Sequence, residues 1–162
     1  MNYTIRDAQI TDMPQVLALI KALAVFEKEP HAVEITVKNL EEDGFGTTPA
    51  FKCFVAIIDN NVQGIAIIYN RYSTWKGKII HLEDLIVNQA YRNQGIGTAL
   101  LNKVVTYAAQ LKAKRINWEV IDWNENAIAF YQSKGATVMR DWDVVQLSEL
   151  GIKNYIDQIK QI

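Results

Sequence analysis

With 162 residues, 49% of them hydrophobic and 22% charged, the chain can bury one substantial core, and residues 1–162 are expected to form a single domain. A net charge of −1 and a pI of about 6.1, with lysines and arginines scattered, leave no electrostatic drive for binding nucleic acid. Cys53 is the only cysteine and excludes an intrachain disulfide; residues 1–10 lack a signal-peptide pattern and no apolar run has membrane length, so a cytoplasmic protein is expected.

Residues 3–6 alternate as a first strand. Thr11 or Asp12 can cap a helix with Pro14 in its first turn, and Val16, Leu19, Ile20, Leu23 and Phe26 form its apolar stripe. A shorter helix is expected from about Thr36 to Asp43, stopping at Gly44. Residues 51–59 and 62–70 are β-rich runs split by Asn60-Asn61, a hairpin signal. A strand over 78–87, a helix to about Leu111, a strand over 115–121 and a helix over 124–134 follow. Two further strands, at about 136–140 and 142–147, precede a terminal helix that Ser148 can cap. Strands first in a run and then alternating with helices predict a mixed sheet covered by helices.

The stretch that organises the chain is Tyr91-Arg92-Asn93-Gln94-Gly95-Ile96-Gly97-Thr98, between the apolar run Leu85-Ile86-Val87 and a long helix. Two glycines one residue apart let the backbone turn tightly and present N–H groups at a helix start, where the dipole favours an anion. The P-loop pattern is absent, and Leu100 stands where the dinucleotide fingerprint needs a small residue. The residues themselves indicate an anion seat, such as one for a diphosphate.

Arg92-x-x-Gly95-x-Gly97 after a strand resembles the coenzyme A pyrophosphate loop of the GNAT acetyltransferases. Four more stretches resemble one corner of that superfamily, the diamine and thialysine N-acetyltransferases. They are Leu40-Glu41-Glu42-Asp43-Gly44-Phe45-Gly46, Tyr72-Ser73-Thr74-Trp75-Lys76-Gly77-Lys78, Leu82-Glu83-Asp84, and Asp122-Trp123-Asn124 leading into Phe130-Tyr131-Gln132-Ser133-Lys134-Gly135-Ala136. The resemblance implies an α/β (α+β) GNAT fold: a mixed, mostly antiparallel sheet of about six to seven strands, helices on both faces, and a splayed parallel strand pair. It implies acetyl transfer from acetyl-CoA to a primary amine of a small molecule, and a homodimer. The coenzyme's pantetheine arm would lie against Leu85, Ile86 and Val87, and its pyrophosphate against Arg92, Asn93, Gln94, Gly95, Ile96, Gly97 and Thr98. Asn124, Ala127 and Lys134 would complete the coenzyme site.

The chemistry also has a reading of its own. An alkylamine is protonated at neutral pH, with a pKa near ~10.4, so something must take its proton before attack. Glu83 lies late in a central strand, where an ionised carboxylate is costly without a role or partner, and so does Asp84. A strand period of two sends these neighbours to opposite faces. By resemblance Glu83 is the base and Asp84 an amine-binding or structural partner, while Tyr131 matches the acid that protonates the departing thiolate. Asn124 can equally be a helix cap. Trp75 could shield the amine site or anchor its hairpin, and Glu27 belongs with Glu29, Glu41, Glu42 and Asp43 as negative charge able to draw a cationic amine. His31, His81 and Cys53 lack metal-ligand spacing, so no metal is expected.

The polyamine-acetylating members carry an acidic residue just before the loop tryptophan, where this chain has Ser73-Thr74. That difference resembles the thialysine branch and ranks lysine-like amines above spermidine. Two other readings stay open: acetylation of protein amines or aminoglycosides, and a non-catalytic coenzyme A-binding sensor.

Overall fold

The structure, a computed structural model, describes residues 2–160. The chain forms two compact units, residues 1–121 and 122–162.

The first unit is built on a sheet of five strands in sequential order: β1 (Thr4–Asp7), β2 (Lys52–Ile58), β3 (Asn61–Ser73), β4 (Gly77–Val87) and β5 (Ile116–Asn117). The first four pair antiparallel, and β5 runs parallel to β4. Asp59 and Asn60, at φ 48° and 62°, make the tight turn between β2 and β3, a conformation to which Asx residues are suited.

Helix α1 (Met13–Phe26) and helix α2 (Val37–Phe45) cover one face. Met13, Val16, Leu17, Leu19 and Leu40 pack there against Cys53, Val55, Ile65, Ile67 and Ile86. Cys53 belongs to this core, where burial pushes its thiol up to about 12. Helix α3 (Ile96–Gln110) covers the opposite face through Ile96, Leu100, Leu101, Val104 and Ala108, with Tyr107 edge-on to Phe54 at 5.7 Å. The side chains of β2 and β3 thus alternate between two helical layers.

Several sequence expectations change in detail. Helix α2 runs through Gly44 instead of stopping there, and it ends at Phe45 with Gly46 as its cap. A Cβ on Gly44 would meet the Phe51 ring at 2.7 Å, so this glycine permits close packing and is not a stop. Phe26 lies exposed at the end of α1, with the Arg92 guanidinium 5.6 Å from its ring centre. The strand expected over 115–121 shortens to Ile116–Asn117 because its ladder with β4 ends at His81↔Asn117.

The second unit contains helix α4 (Glu125–Ser133) and helix α5 (Glu149–Ile159). Asn124 and Ser148 cap them, accepting from Ala127 N–H and Gly151 N–H. The strands expected at 136–140 and 142–147 do not form, so the sheet has five strands where six to seven were anticipated. Residues 139–150 are exposed throughout, and no described segment offers them a ladder; β-prone composition without a pairing partner does not make a strand. Among the described residues no helix is long and apolar enough to cross a membrane.

Candidate active site

The β3–β4 ladder carries a one-residue irregularity that shapes the site. Ile67 pairs with Asp84 and Ile68 pairs with Leu82, so Glu83 is the extra residue of a β-bulge. A bulge re-aims side chains, and here it cancels the strict alternation expected for Glu83 and Asp84. Both line the same cleft, of about 750 Å³, at the α1–α2 side of the sheet. Expecting them on opposite faces was wrong because period-2 reasoning assumes an unbroken ladder.

The cleft has an apolar floor that includes Ile20, Leu23, Leu40, Phe51 and Ile67. Six carboxylates line it, from Glu27, Glu29, Glu34, Asp43, Glu83 and Asp84, with no lysine or arginine among the lining residues. Burial pushes the Asp84 carboxyl up to about 6, and the charges of Glu83 and then Glu27 add to the effect. Burial raises Glu27 as well. Such a cleft suits a cation on an aliphatic chain: the ammonium relieves carboxylate repulsion while the methylenes cover the floor.

Two residues beside Glu83 were not singled out as site residues from sequence. Tyr69, which pairs with His81 across the ladder, lines the cleft; its phenol is raised first by burial and then by the adjacent Glu83 charge. The His81 ring stacks on Tyr69 at 4.9 Å and 26°, and its Nε2 lies 3.6 Å from Glu83 Oε2. The available signal was the i, i+2 spacing of His81 and Glu83 along one strand.

The anion loop begins where β4 ends. Arg92 Nε donates to Val87 O at 3.0 Å, folding the loop back on the strand that carries Leu85, Ile86 and Val87. Asn93 and Gly95 have φ of 61° and 83°, and Gly95 is the N-cap of α3. The first-turn amides of α3, including those of Gly97 and Thr98, have no carbonyl four residues back within the helix, the arrangement that suits a helix end to an anion. A Cβ on Gly95 would have only the Tyr3 hydroxyl nearby, at 3.6 Å, so Gly95→Ala isolates the cost of the positive φ. That substitution is expected to cost about 1–2 kcal/mol of unfolding free energy, measured by urea titration.

Beyond His81, β4 continues for six residues without β5 alongside it in the ladder. That open strand edge is where an extended chain can add by backbone hydrogen bonds.

The remaining expected residues are placed as follows. Trp75 is 81% exposed in the β3–β4 turn, where Ser73 Oγ accepts from the Trp75 and Lys76 amides, and it does not line the cleft. In the second unit, Asn124 caps α4 on Ala127, Tyr131 is buried beside Phe130 at 5.3 Å, and the Lys134 ammonium lies 5.6 Å from the Phe130 ring centre. Of the two adjacent aromatics Tyr131 is buried and Phe130 half-buried. Among the described residues no group of three or more His, Cys, Asp or Glu side chains is placed to hold a metal.

A bulge that turns carboxylates into an acidic cleft, beside a glycine turn into the amino end of a helix, defines a site suited to a cation next to one suited to an anion. Residues 14–136 match the Acetyltransferase (GNAT) family, and the chain belongs to it. It is 39% identical over 140 residues to the mouse (Mus musculus) thialysine N-epsilon-acetyltransferase, covering 82% of each chain. It is 36% identical over 141 residues to the human (Homo sapiens) spermidine/spermine N(1)-acetyltransferase-like protein 1, covering 83% of this chain but only 20% of that longer protein. The fold is shared with AAC(6')-Iy solved with a bisubstrate coenzyme A analogue, at a TM-score of 0.74 and 16% identity, over 90% of this chain and 98% of that one. The protein is an acetyl-CoA-dependent N-acetyltransferase.

Proposed function

We propose that this chain transfers the acetyl group of acetyl-CoA directly to the primary amine of a small cationic molecule held in the acidic cleft. The observation that carries this reading is the bulge that turns Glu83 into the same cleft as Asp84. Acetyl-CoA supplies a thioester whose acetyl carbon the amine attacks. Its pyrophosphate would rest on the residues from Arg92 to Thr98 and its arm along Leu85, Ile86 and Val87, with Asn124, Ala127 and Lys134 as further contacts.

Glu83 takes the ammonium proton, through a water, and frees the nitrogen lone pair. As the C–N bond forms and the C–S bond breaks, Tyr131 gives a proton to the leaving sulfur, and the nitrogen's second proton restores the tyrosine. The balance is one N-acetylamine, one free thiol and one proton released. Asp84 and Glu27 hold the substrate's positive charge, and Trp75, which lies outside the cleft lining, would have to swing in with the β3–β4 turn to shield the amine. Trp75→Ala is expected to change unfolding free energy by no more than about 0.5 kcal/mol, since the ring is exposed, while raising the amine KM several-fold. An unchanged KM would remove Trp75 from the site.

For the acceptor we favour a lysine-like side-chain amine such as thialysine, supported by Ser73-Thr74 before Trp75 and by the mouse relative's name. A second reading, a diamine or polyamine, is favoured by the cleft itself: its lining offers no cation for an amino acid's carboxylate. The protein is proposed to act as a cytoplasmic homodimer. Thiol release with thialysine, lysine, spermidine, putrescine, an aminoglycoside and a short lysine peptide decides the acceptor. Preference for thialysine supports the first reading, preference for spermidine or putrescine the second, and turnover confined to the peptide or aminoglycoside contradicts both.

A further inference from the structure

Two buried polar atoms near the candidate base have no hydrogen-bond partner among the described residues, His81 Nδ1 and Asn117 Oδ1. They belong to residues paired across the last rung of the β4–β5 ladder, so their side chains stand side by side on one face of the sheet. His81 is only 6% exposed, and an unmatched polar atom at such a depth carries a desolvation cost. Its other nitrogen, Nε2, faces Glu83 Oε2 at 3.6 Å, while Tyr69 stacks on the ring and fixes its plane.

The tautomer follows from these neighbours. Neutral imidazole has one N–H; placed on Nδ1, it would leave a lone pair on Nε2 facing a carboxylate, two acceptors together. Placed on Nε2, it donates toward Glu83 and makes Nδ1 an acceptor. Asn117 Oδ1 is also an acceptor, so neither atom can satisfy the other. One water, giving a hydrogen to each, satisfies both, and this rung is where the β4–β5 ladder ends. At 3.6 Å the contact with Glu83 is longer than a hydrogen bond. The Glu83 side chain is half-exposed, free to close that gap when substrate enters.

We propose that His81 is the positioning residue for Glu83, directing an Nε2–H at the carboxylate while Nδ1 and Asn117 Oδ1 share a buried water. The proposal rests on the reading of Glu83 as the base. With the Tyr69 phenol, which also reaches Glu83, it makes His81 one of two groups that orient a carboxylate at a bulge on a half-open surface.

The test has two arms. In the first, steady-state kinetics compare wild type with His81→Phe, which keeps the ring stacked on Tyr69 and deletes both nitrogens, and with His81→Gln, which keeps a donor. His81→Phe is expected to lower kcat by about 10- to 100-fold, the cost of a misplaced catalytic group, with both KM values within about twofold. His81→Gln should recover most of that loss. Wild-type kcat in His81→Phe, or no recovery in His81→Gln, overturns the proposal.

The second arm needs no activity. Long-range 15N–1H spectra of the two histidines at about pH 8.5, where free imidazole is neutral, are expected to show His81 as a single Nε2–H tautomer and exposed His31 as an average. Glu83→Gln should shift the Nε2 signal and Asn117→Leu the Nδ1 signal. Averaged tautomers at His81, or an Nδ1 signal indifferent to Asn117→Leu, overturn it. An enzyme silent toward every amine whose His81 nevertheless shows this pattern would sink the reading of Glu83 as base while leaving the local geometry intact.

Discussion

Glu83→Gln is expected to lower kcat/KM for the amine by about 10²- to 10³-fold while leaving acetyl-CoA affinity within about twofold. An alkylamine with a pKa near ~10.4 is neutral in only about one molecule per thousand at pH 7.4, so the enzyme's advantage at neutral pH depends on a proton acceptor beside the nitrogen. Glutamine keeps the shape of the side chain at the bulge and removes only its capacity to take a proton. The defect should therefore shrink about tenfold per pH unit as free amine accumulates, up to the amine's own pKa. Titration calorimetry with acetyl-CoA checks that the coenzyme site is intact. A loss below tenfold, independent of pH, would move the base to another group, with Asp84 the nearest candidate in the cleft.

Asp84→Asn is expected to stabilise the free protein at pH 8, by up to about 3 kcal/mol, and to have little effect near pH 4. The folded carboxyl titrates at about 6, raised from 3.8, chiefly by burial. Between those values the folded state keeps a proton that the unfolded state has lost. Wild-type stability from this group is therefore full below about pH 4, falls as the pH rises, and is spent once the pH passes the folded value near 6. Asparagine has no charge to desolvate, and the pH-dependent difference disappears. Urea unfolding of both proteins at pH 4.5, 6 and 8 reads it directly. A cationic amine should return Asp84 to its ionised form, so amine binding near pH 6 should release about half a proton more in wild type than in the variant. An equal gap between the two proteins at all three pH values would contradict burial as the cause.

These two residues also mark the limit of what the sequence reveals. The turn into α3 was legible because its determinants are local: Gly95 supplies a positive φ, and the helix begins at the next residue. The caps at Asn124 and Ser148 were legible for the same reason. The carboxylates could be named, but not aimed. Their direction depends on the register between β3 and β4, set by distant pairings, and no signal within Leu82-Glu83-Asp84 announces a bulge. The shortened β5 and the unformed strands over 136–147 share that cause, since a strand exists only where a partner is in register. Gly44 failed differently: a glycine at a helix end looks like a stop, whereas Phe51, from another element, is what requires it. His81 looked unremarkable until the ladder set it between Glu83 and Asn117.

The most direct test of the central claim is the product itself. Wild-type protein, acetyl-CoA and the preferred amine would be incubated, with free thiol and N-acetylated amine quantified together, the latter by mass spectrometry, beside Glu83→Gln. One thiol per molecule acetylated on a primary amine, nearly abolished in the variant, is the result the cleft and its base predict. Thiol release without an N-acetyl product, or no acetylation of any primary amine at saturating acetyl-CoA, would contradict it.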